Sequence, residues 1–381
     1  MRTLPIFLAF LVMGVADAMG PMADAVKGNY QLNNVMATLL TFFVFIAFAI
    51  FSVPGGVLAA RAGKKKVLLL GLGLNAVAVL IPSLMMPSYG LLLGCIFLLG
   101  VGTTYLQVAG NPIMRDVSAE GAYARNLSFA QFIKGVGSSA SSYLVGLVAL
   151  LPFLGGMKWR GVFPVFFVLM ALAFLAVATL KIDEAPAEAP PSVAGSLALL
   201  KEPVFALAVL GIFLYVGAEV CMGRFLKPAL SAFGFPEDRA ALLGPTLFFA
   251  MLTVGRLLGS GLLRVMAPRN AFRLSAALGL LGAALLMLGG PVGVFAGPAL
   301  AGLGFANIWP LLFALTVEER PGRGAELSGL MCMAISGGAV VPLLMGRLAD
   351  SGSLRFAFAV PVACFAYLLL LSGKGPREAE A

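Results

Sequence analysis

Four ionisable side chains interrupt long apolar stretches of this 381-residue chain: Asp17, Lys134, Glu219 and Arg256. A charge is costly in hydrocarbon, so each such group is expected to face a wet cavity, pair with another group, or act in transport. Asp17 sits in Val15-Ala-Asp-Ala-Met19. A carboxyl without a partner in low dielectric prefers its protonated form, the property a proton carrier needs. The alternative is a static hydrogen bond to a neighbouring helix. Lys134 belongs to Gln131-Phe-Ile-Lys-Gly-Val-Gly-Ser138, where Gln131, Lys134 and Ser138 fall three and four apart on one helical face. Lys134 could pair with Asp17, attract an anionic group, or release a proton when desolvated. Snorkelling of its stem toward the cytoplasm is the plainer alternative. Glu219, in Tyr215-Val-Gly-Ala-Glu219, could complete a coupling pair, ligate sodium through oxygen, or bond a nearby backbone. Arg256 follows Gly255 near the end of its run and suits interhelical gating or packing.

Neutral polar groups add to these. Thr104, Gln107 and Asn111 follow helical spacing, and Asn307 is followed by Trp309-Pro310. Amides with fixed donors and acceptors beside an indole suit a polyhydroxyl ligand, whose C–H faces stack on aromatic rings. Gln131 and Tyr215 join this candidate set, although amides also tie membrane helices together.

These residues need long apolar elements to hold them. The chain is 60% hydrophobic and only 11% charged, where a soluble domain carries about a quarter charged residues. Lipid must be its solvent. A helix crossing the hydrocarbon needs ~20 residues, and twelve apolar runs of that kind can be marked: 4–26, 35–60, 67–86, 90–112, 127–151, 161–180, 203–223, 241–263, 271–289, 293–316, 326–346 and 355–372. The absence of histidine excludes imidazole catalysis and a histidine proton relay. The four cysteines, Cys95, Cys221, Cys332 and Cys364, form no CxxC pair and read as small packing residues. No metal site or cofactor is expected beyond a proton or sodium as coupling ion.

The net charge of +9 could suggest nucleic acid, but its distribution points to topology instead. With the N-terminus inside, sixteen of the 26 basic residues fall on the cytoplasmic side, including Arg61 and Lys64 to Lys66, and eight fall outside. Both termini are therefore expected in the cytoplasm. Ala16-Asp17-Ala18 imitates a signal-peptide cleavage site. Cleavage would upset that asymmetry and is not expected.

A proline- and acid-rich segment, Lys181 to Pro191, divides the chain near its middle and reads as a mobile linker. The halves echo each other at an offset near 200 residues: Gly55–Arg61 with Gly255–Gly259, Leu99–Gly102 with Ala301–Gly304, and Leu127-Ser128 with Leu327-Ser328. Such a parallel repeat is a transporter architecture with its site at the repeat interface. The expected organisation is an N-terminal bundle over 1–181, a linker over 182–201, a C-terminal bundle over 202–372 and a tail over 373–381.

Several stretches carry a resemblance: Ala16-Asp-Ala-Met-Gly-Pro21, Gly55–Gly71, Leu106-Gln-Val-Ala-Gly-Asn-Pro112, Tyr215-Val-Gly-Ala-Glu219, Asn307-Ile-Trp-Pro310 and Ser336–Gly346. The chain resembles the major facilitator superfamily, and within it the fucose permease and glucose/galactose transporter branch. The resemblance implies sugar uptake with a proton, or sodium in some relatives, by alternating access of two six-helix bundles. Asp17 looks like the family's first-helix acid, implicated in coupling. Gln107 stands where the fucose permease has glutamate, as in glucose/galactose-type relatives, and Lys134 stands where it has asparagine. In the cytoplasmic loop motif Ala60 replaces the usual acid before Arg61, which weakens any gating ion pair there.

The expected molecule is an all-α membrane protein of twelve helices in two pseudo-symmetric six-helix bundles. It would be a monomeric, multi-pass transporter of the inner membrane for a sugar-like solute, surrounded by lipid and with no nucleic-acid partner. Asp17, Lys134 and Glu219 are the coupling candidates; Gln107, Asn111, Gln131, Tyr215, Asn307 and Trp309 the substrate candidates; Arg61 and Arg256 the gating candidates. The rivals are a sugar-acid carrier or exporter anchored by Lys134, and a receptor that binds without flux. An enzyme is least expected, since the sequence offers no nucleophile elbow or metal-ligand cluster.

Overall fold

A computed structural model describes residues 3–15, 19–151, 153–182, 184, 191–352 and 354–374. Among these, every regular element is helical. The order is α1 (Leu4–Val15), α2 (Met19–Tyr30), α3 (Asn34–Ala62), α4 (Lys64–Leu84), α5 (Tyr89–Asp116), α6 (Tyr123–Ala149), α7 (Val162–Thr179), α8 (Val193–Ala198) and α9 (Pro203–Ala232). There follow α10 (Glu237–Ala241), α11 (Leu247–Leu262), α12 (Pro268–Leu288), α13 (Gly290–Ala306), α14 (Ile308–Glu319), α15 (Gly324–Met333), α16 (Gly337–Ser351), α17 (Leu354–Ala357) and α18 (Ala359–Lys374). Helices are what lipid demands, because each backbone donor and acceptor finds its partner within the segment. Among the described residues, ten helical spans are long and apolar enough to cross a membrane, and Leu4–Gly14 is a shorter apolar helix.

Three apolar runs that read as single helices are interrupted, the one over 355–372 at Phe358 between α17 and α18. The run over 293–316 is split into α13 and α14 at Asn307, which has φ −110° and ψ 1°. The run over 326–346 is split into α15 and α16 by a tight 3-10 turn at Ala334–Ser336. The segment that read as a linker ends in helix, with α8 and a 3-10 turn over Leu199–Lys201. Its residues 183 and 185–190 lie outside the described set, as does most of the tail.

Two compact units emerge. Unit 1 comprises Met1–Ala119, Ile133–Ser196 and Gly322–Met333; unit 2 comprises Glu120–Phe132, Leu197–Pro321 and Ala334–Ala381. In unit 1 small residues let backbones touch, as expected of membrane helices. A methyl at Gly14 of α1 would overlap the Lys134 carbonyl of α6, and one at Gly137 would overlap the Leu11 carbonyl. Lys134 is thereby fixed against the end of α1. The start of α4 follows Gly63, whose φ of 101° favours glycine. Its first amides find a distant cap: the Glu184 carboxylate accepts from Lys64 N at 2.5 Å and from Lys65 N at 2.9 Å. Lys64 Nζ pairs with Asp116 at the end of α5. In unit 2 Gly279 and Gly304 bring α12 and α13 into backbone contact. Tyr215, Phe305, Phe248 and Phe365 form a chain of tilted and edge-on rings, with centroids 4.5 to 5.6 Å apart.

Candidate functional site

Unit 2 gathers six of the predicted residues. Tyr215 and Glu219 lie one turn apart on α9, the tyrosine fully buried and the glutamate half-buried. The charges acting on the Tyr215 hydroxyl are Glu219 and Arg256. Arg256, on α11, is 8% exposed; its Nε donates to Ala306 O at 3.4 Å and its Nη1 to Gln131 O at 3.4 Å. Asn307 occupies the break between α13 and α14, and its Nδ2 donates to Gly255 O at 2.8 Å. Gly259 leaves the space that the Asn307 amide fills, since a methyl there would overlap it. Trp309, in the first turn of α14, stacks at a tilt on Phe313 with centroids 5.7 Å apart.

Two polar atoms of this group, Asn307 Oδ1 and Trp309 Nε1, are buried with no hydrogen-bond partner, and the buried Tyr215 hydroxyl beside them faces Glu219 and Arg256. Such groups cost free energy, about 1–3 kcal/mol each, unless something supplies their bonds. The trio offers a hydroxyl, an acceptor and a donor beside an indole. That combination matches the edge and face of a polyol.

Unit 1 gathers a second group. Gln107 and Asn111 are buried on α5, one turn apart. Ser328 Oγ of α15 donates to Val108 O at 2.7 Å, and the buried Cys332 thiol, one turn further, has Ser328, Asn111 and Lys134 as its polar surroundings. Within unit 1 the Lys134 charge thus acts on that thiol. Thr104, on the same spacing as Gln107 and Asn111, spends its hydroxyl on Gly100 O of its own helix at 2.8 Å. Asp17, the expected partner of Lys134, lies outside the described residues.

The loop candidate Arg61 is exposed, and both its Nε and Nη2 donate to Pro191 O, at 2.9 and 2.7 Å. With Ala60 in place of an acid, a backbone carbonyl of the connecting segment receives this guanidinium. Sequence reasoning missed Glu326, buried in the first turn of α15 and held by Ser196 Oγ at 2.9 Å and by Arg323 at 2.7 and 2.8 Å. It also missed Ser328 and Cys332. A glutamate inside an apolar run, three residues after an arginine, was the available signal for Glu326. Nothing in the sequence marks Cys332. Among the described residues no cluster of three or more His, Cys, Asp or Glu could hold a metal ion.

The family model described as Major Facilitator Superfamily matches residues 6–331. The glucose/galactose transporter of Brucella abortus biovar 1 (strain 9-941) is 31% identical over 361 residues, which cover 90% of this chain and 86% of that protein. The putative glucose/galactose transporter of Helicobacter pylori (strain J99) is 28% identical over 97% of this chain and 96% of its own length. The L-fucose-proton symporter of Escherichia coli K12 is 25% identical over 90% of this chain and 85% of its own. In three dimensions, a crystal structure of the E. coli fucose:proton symporter matches 99% of this chain and 100% of that one with a TM-score of 0.83 at 22% identity. With a family match over most of its length, relatives that span nearly all of it and an all-helical fold of that kind, the chain belongs to the major facilitator superfamily.

Proposed function

We propose that this protein is a secondary active transporter that carries a neutral sugar-like solute across the cytoplasmic membrane by alternating access, in symport with a proton. The observation that carries this reading is the pair of buried, unpartnered neutral atoms on Asn307 and Trp309 beside the Tyr215 hydroxyl. A sugar hydroxyl both donates and accepts, so it can serve all three, and the indole can stack on its C–H face. Gln107, Asn111 and Gln131 add amides from the same candidate set. The relatives named as glucose/galactose transporters and L-fucose-proton symporters support sugar as the cargo and a proton as the coupling ion.

In this reading twelve helices cross the membrane, both termini are cytoplasmic, and the chain works as a monomer. Asp17, Lys134 and Glu219 carry the coupling charge changes, and Arg61 acts at the cytoplasmic side. A transporter moves solute uphill only if its ligands bind the two states with different affinity. These charges provide that difference when protonation or cargo changes their balance.

A second reading, a sugar-acid carrier, is favoured by one observation: Lys134 and Arg256 both stand among the candidate groups. Thermal stabilisation of the purified protein by neutral hexoses and by uronates, with and without sodium at two pH values, separates the readings. Stabilisation by D-glucose or D-galactose alone supports the first. Stabilisation by uronates alone supports the second. No response to either class, together with no hexose uptake in proteoliposomes under a proton gradient, overturns both.

A further inference from the structure

The tenth apolar run breaks at Asn307, and the sequence supplies the cause three residues on. Pro310 has no N–H, so the carbonyl of Ala306, four residues earlier, has no helical donor. A bare carbonyl inside a membrane protein must be served by something else. Arg256 serves it: Nε reaches Ala306 O at 3.4 Å, long for a hydrogen bond but aided by the guanidinium charge. That charge also sits at the C-terminal end of α13, where the helix dipole is negative. From one residue earlier on α11, Gly255 accepts the Asn307 amide at 2.8 Å. Gly259 provides the slot in which that amide lies. The break is therefore clamped twice from α11, once at Ala306 and once at Asn307.

The clamp decides which way the recognition atoms face. With Nδ2 committed to Gly255, Asn307 presents Oδ1, and Trp309, in the first turn of α14, has its Nε1 unpartnered. Tyr215 packs on Phe305, immediately before the break, with centroids 5.6 Å apart. Its hydroxyl lies within the fields of both Arg256 and Glu219.

We infer that Arg256 is a positioning residue for the sugar subsite: it holds the α13–α14 break so that Asn307 Oδ1, Trp309 Nε1 and the Tyr215 hydroxyl are set for cargo. This rests on the sugar reading given above. It differs from a gating role, in which Arg256 would affect the rate of interconversion and leave affinity alone.

The test measures D-glucose or D-galactose affinity of the purified protein, whichever stabilises it, by calorimetry, and counterflow in proteoliposomes at saturating sugar. Arg256→Gln is expected to raise Kd about tenfold and to leave saturated counterflow within about threefold of wild type. Arg256→Lys, which keeps the charge and loses the fork, should fall between. A wild-type Kd with lost counterflow in both variants would mean a gate and overturn the inference. If Arg256→Gln cannot be purified, Arg256→Lys decides: a Kd raised threefold or more supports the inference and an unchanged Kd overturns it. Asn307→Ala and Trp309→Phe are the companion measurements. If neither weakens binding, the sugar subsite itself is misplaced. If both weaken it while the Arg256 variants bind normally, only the positioning role fails.

Discussion

Gly56 of α3 and Gly329 of α15 meet backbone to backbone within unit 1. A methyl on Gly56 would lie 3.1 Å from the Gly329 Cα and 2.6 Å from the Ala325 carbonyl; one on Gly329 would lie 2.8 Å from the Ser52 carbonyl and 3.3 Å from the Gly56 Cα. Such contacts tolerate no side chain without backbone movement. The segment Gly322–Met333 comes late in the chain and yet packs within a unit built otherwise from residues before 197.

Gly329→Ala is accordingly expected to destabilise the protein by about 1–3 kcal/mol, the usual cost of overpacking a tight core. A lowered thermal midpoint in detergent checks this. An unchanged midpoint would show that α15 is not seated as described.

Tyr215→Phe removes a hydroxyl that stands against Glu219 and Arg256. Stability should fall by about 0.5–1.5 kcal/mol, the usual net worth of a hydrogen bond. Sugar affinity should fall about tenfold, as expected when a site built to bond a hydroxyl group loses its partner. Calorimetric titration with the stabilising hexose reads the second effect, and thermal unfolding the first.

Coupling is tested by removing charge. Asp17→Asn, Lys134→Ala and Glu219→Gln are each expected to retain sugar counterflow while losing accumulation driven by an imposed pH jump. Proteoliposome uptake with and without the gradient makes the comparison. Gradient-driven accumulation at the wild-type level in all three would remove these residues from coupling.

Glu326, with its side chain 2% exposed, is bonded by Ser196 and Arg323. Glu326→Gln should cost about 1–3 kcal/mol, since a charge-assisted pair is broken and a guanidinium loses its counter-ion. Ser196→Ala should cost less, and the double variant should fall short of the sum by about 0.5 kcal/mol or more, because the two share one bond. Additive unfolding energies would show that the hydroxyl and the carboxylate act independently.

Much of the helical architecture could be read from the apolar runs. The apolar runs coincide with helices because hydrocarbon leaves the backbone no other solution. The breaks at Asn307 and at Ala334–Ser336 were not anticipated, although Pro310 and the Gly337-Gly338 pair were visible, because membrane helices often carry proline and glycine without breaking. Candidate residues on one helix were easy to group: Tyr215 and Glu219, or Gln107 and Asn111, follow from i, i+4 spacing alone. Their partners on other helices were not legible. No spacing rule connects Arg256 to Ala306 or Cys332 to Asn111, since these meet only through helix packing. Thr104 follows the same spacing, and its hydroxyl donates to Gly100 O of its own helix.

The cap on α4 has a consequence for the order in which the protein is made. The amides of Lys64 and Lys65 end on Glu184, a residue 120 and 119 positions later. During synthesis α4 enters the membrane long before its cap exists, so its first turn stays bonded to water until the ribosome has passed position 184. Amide exchange at Lys64 and Lys65 should therefore be slow in the full chain and fast in the Glu184→Ala variant.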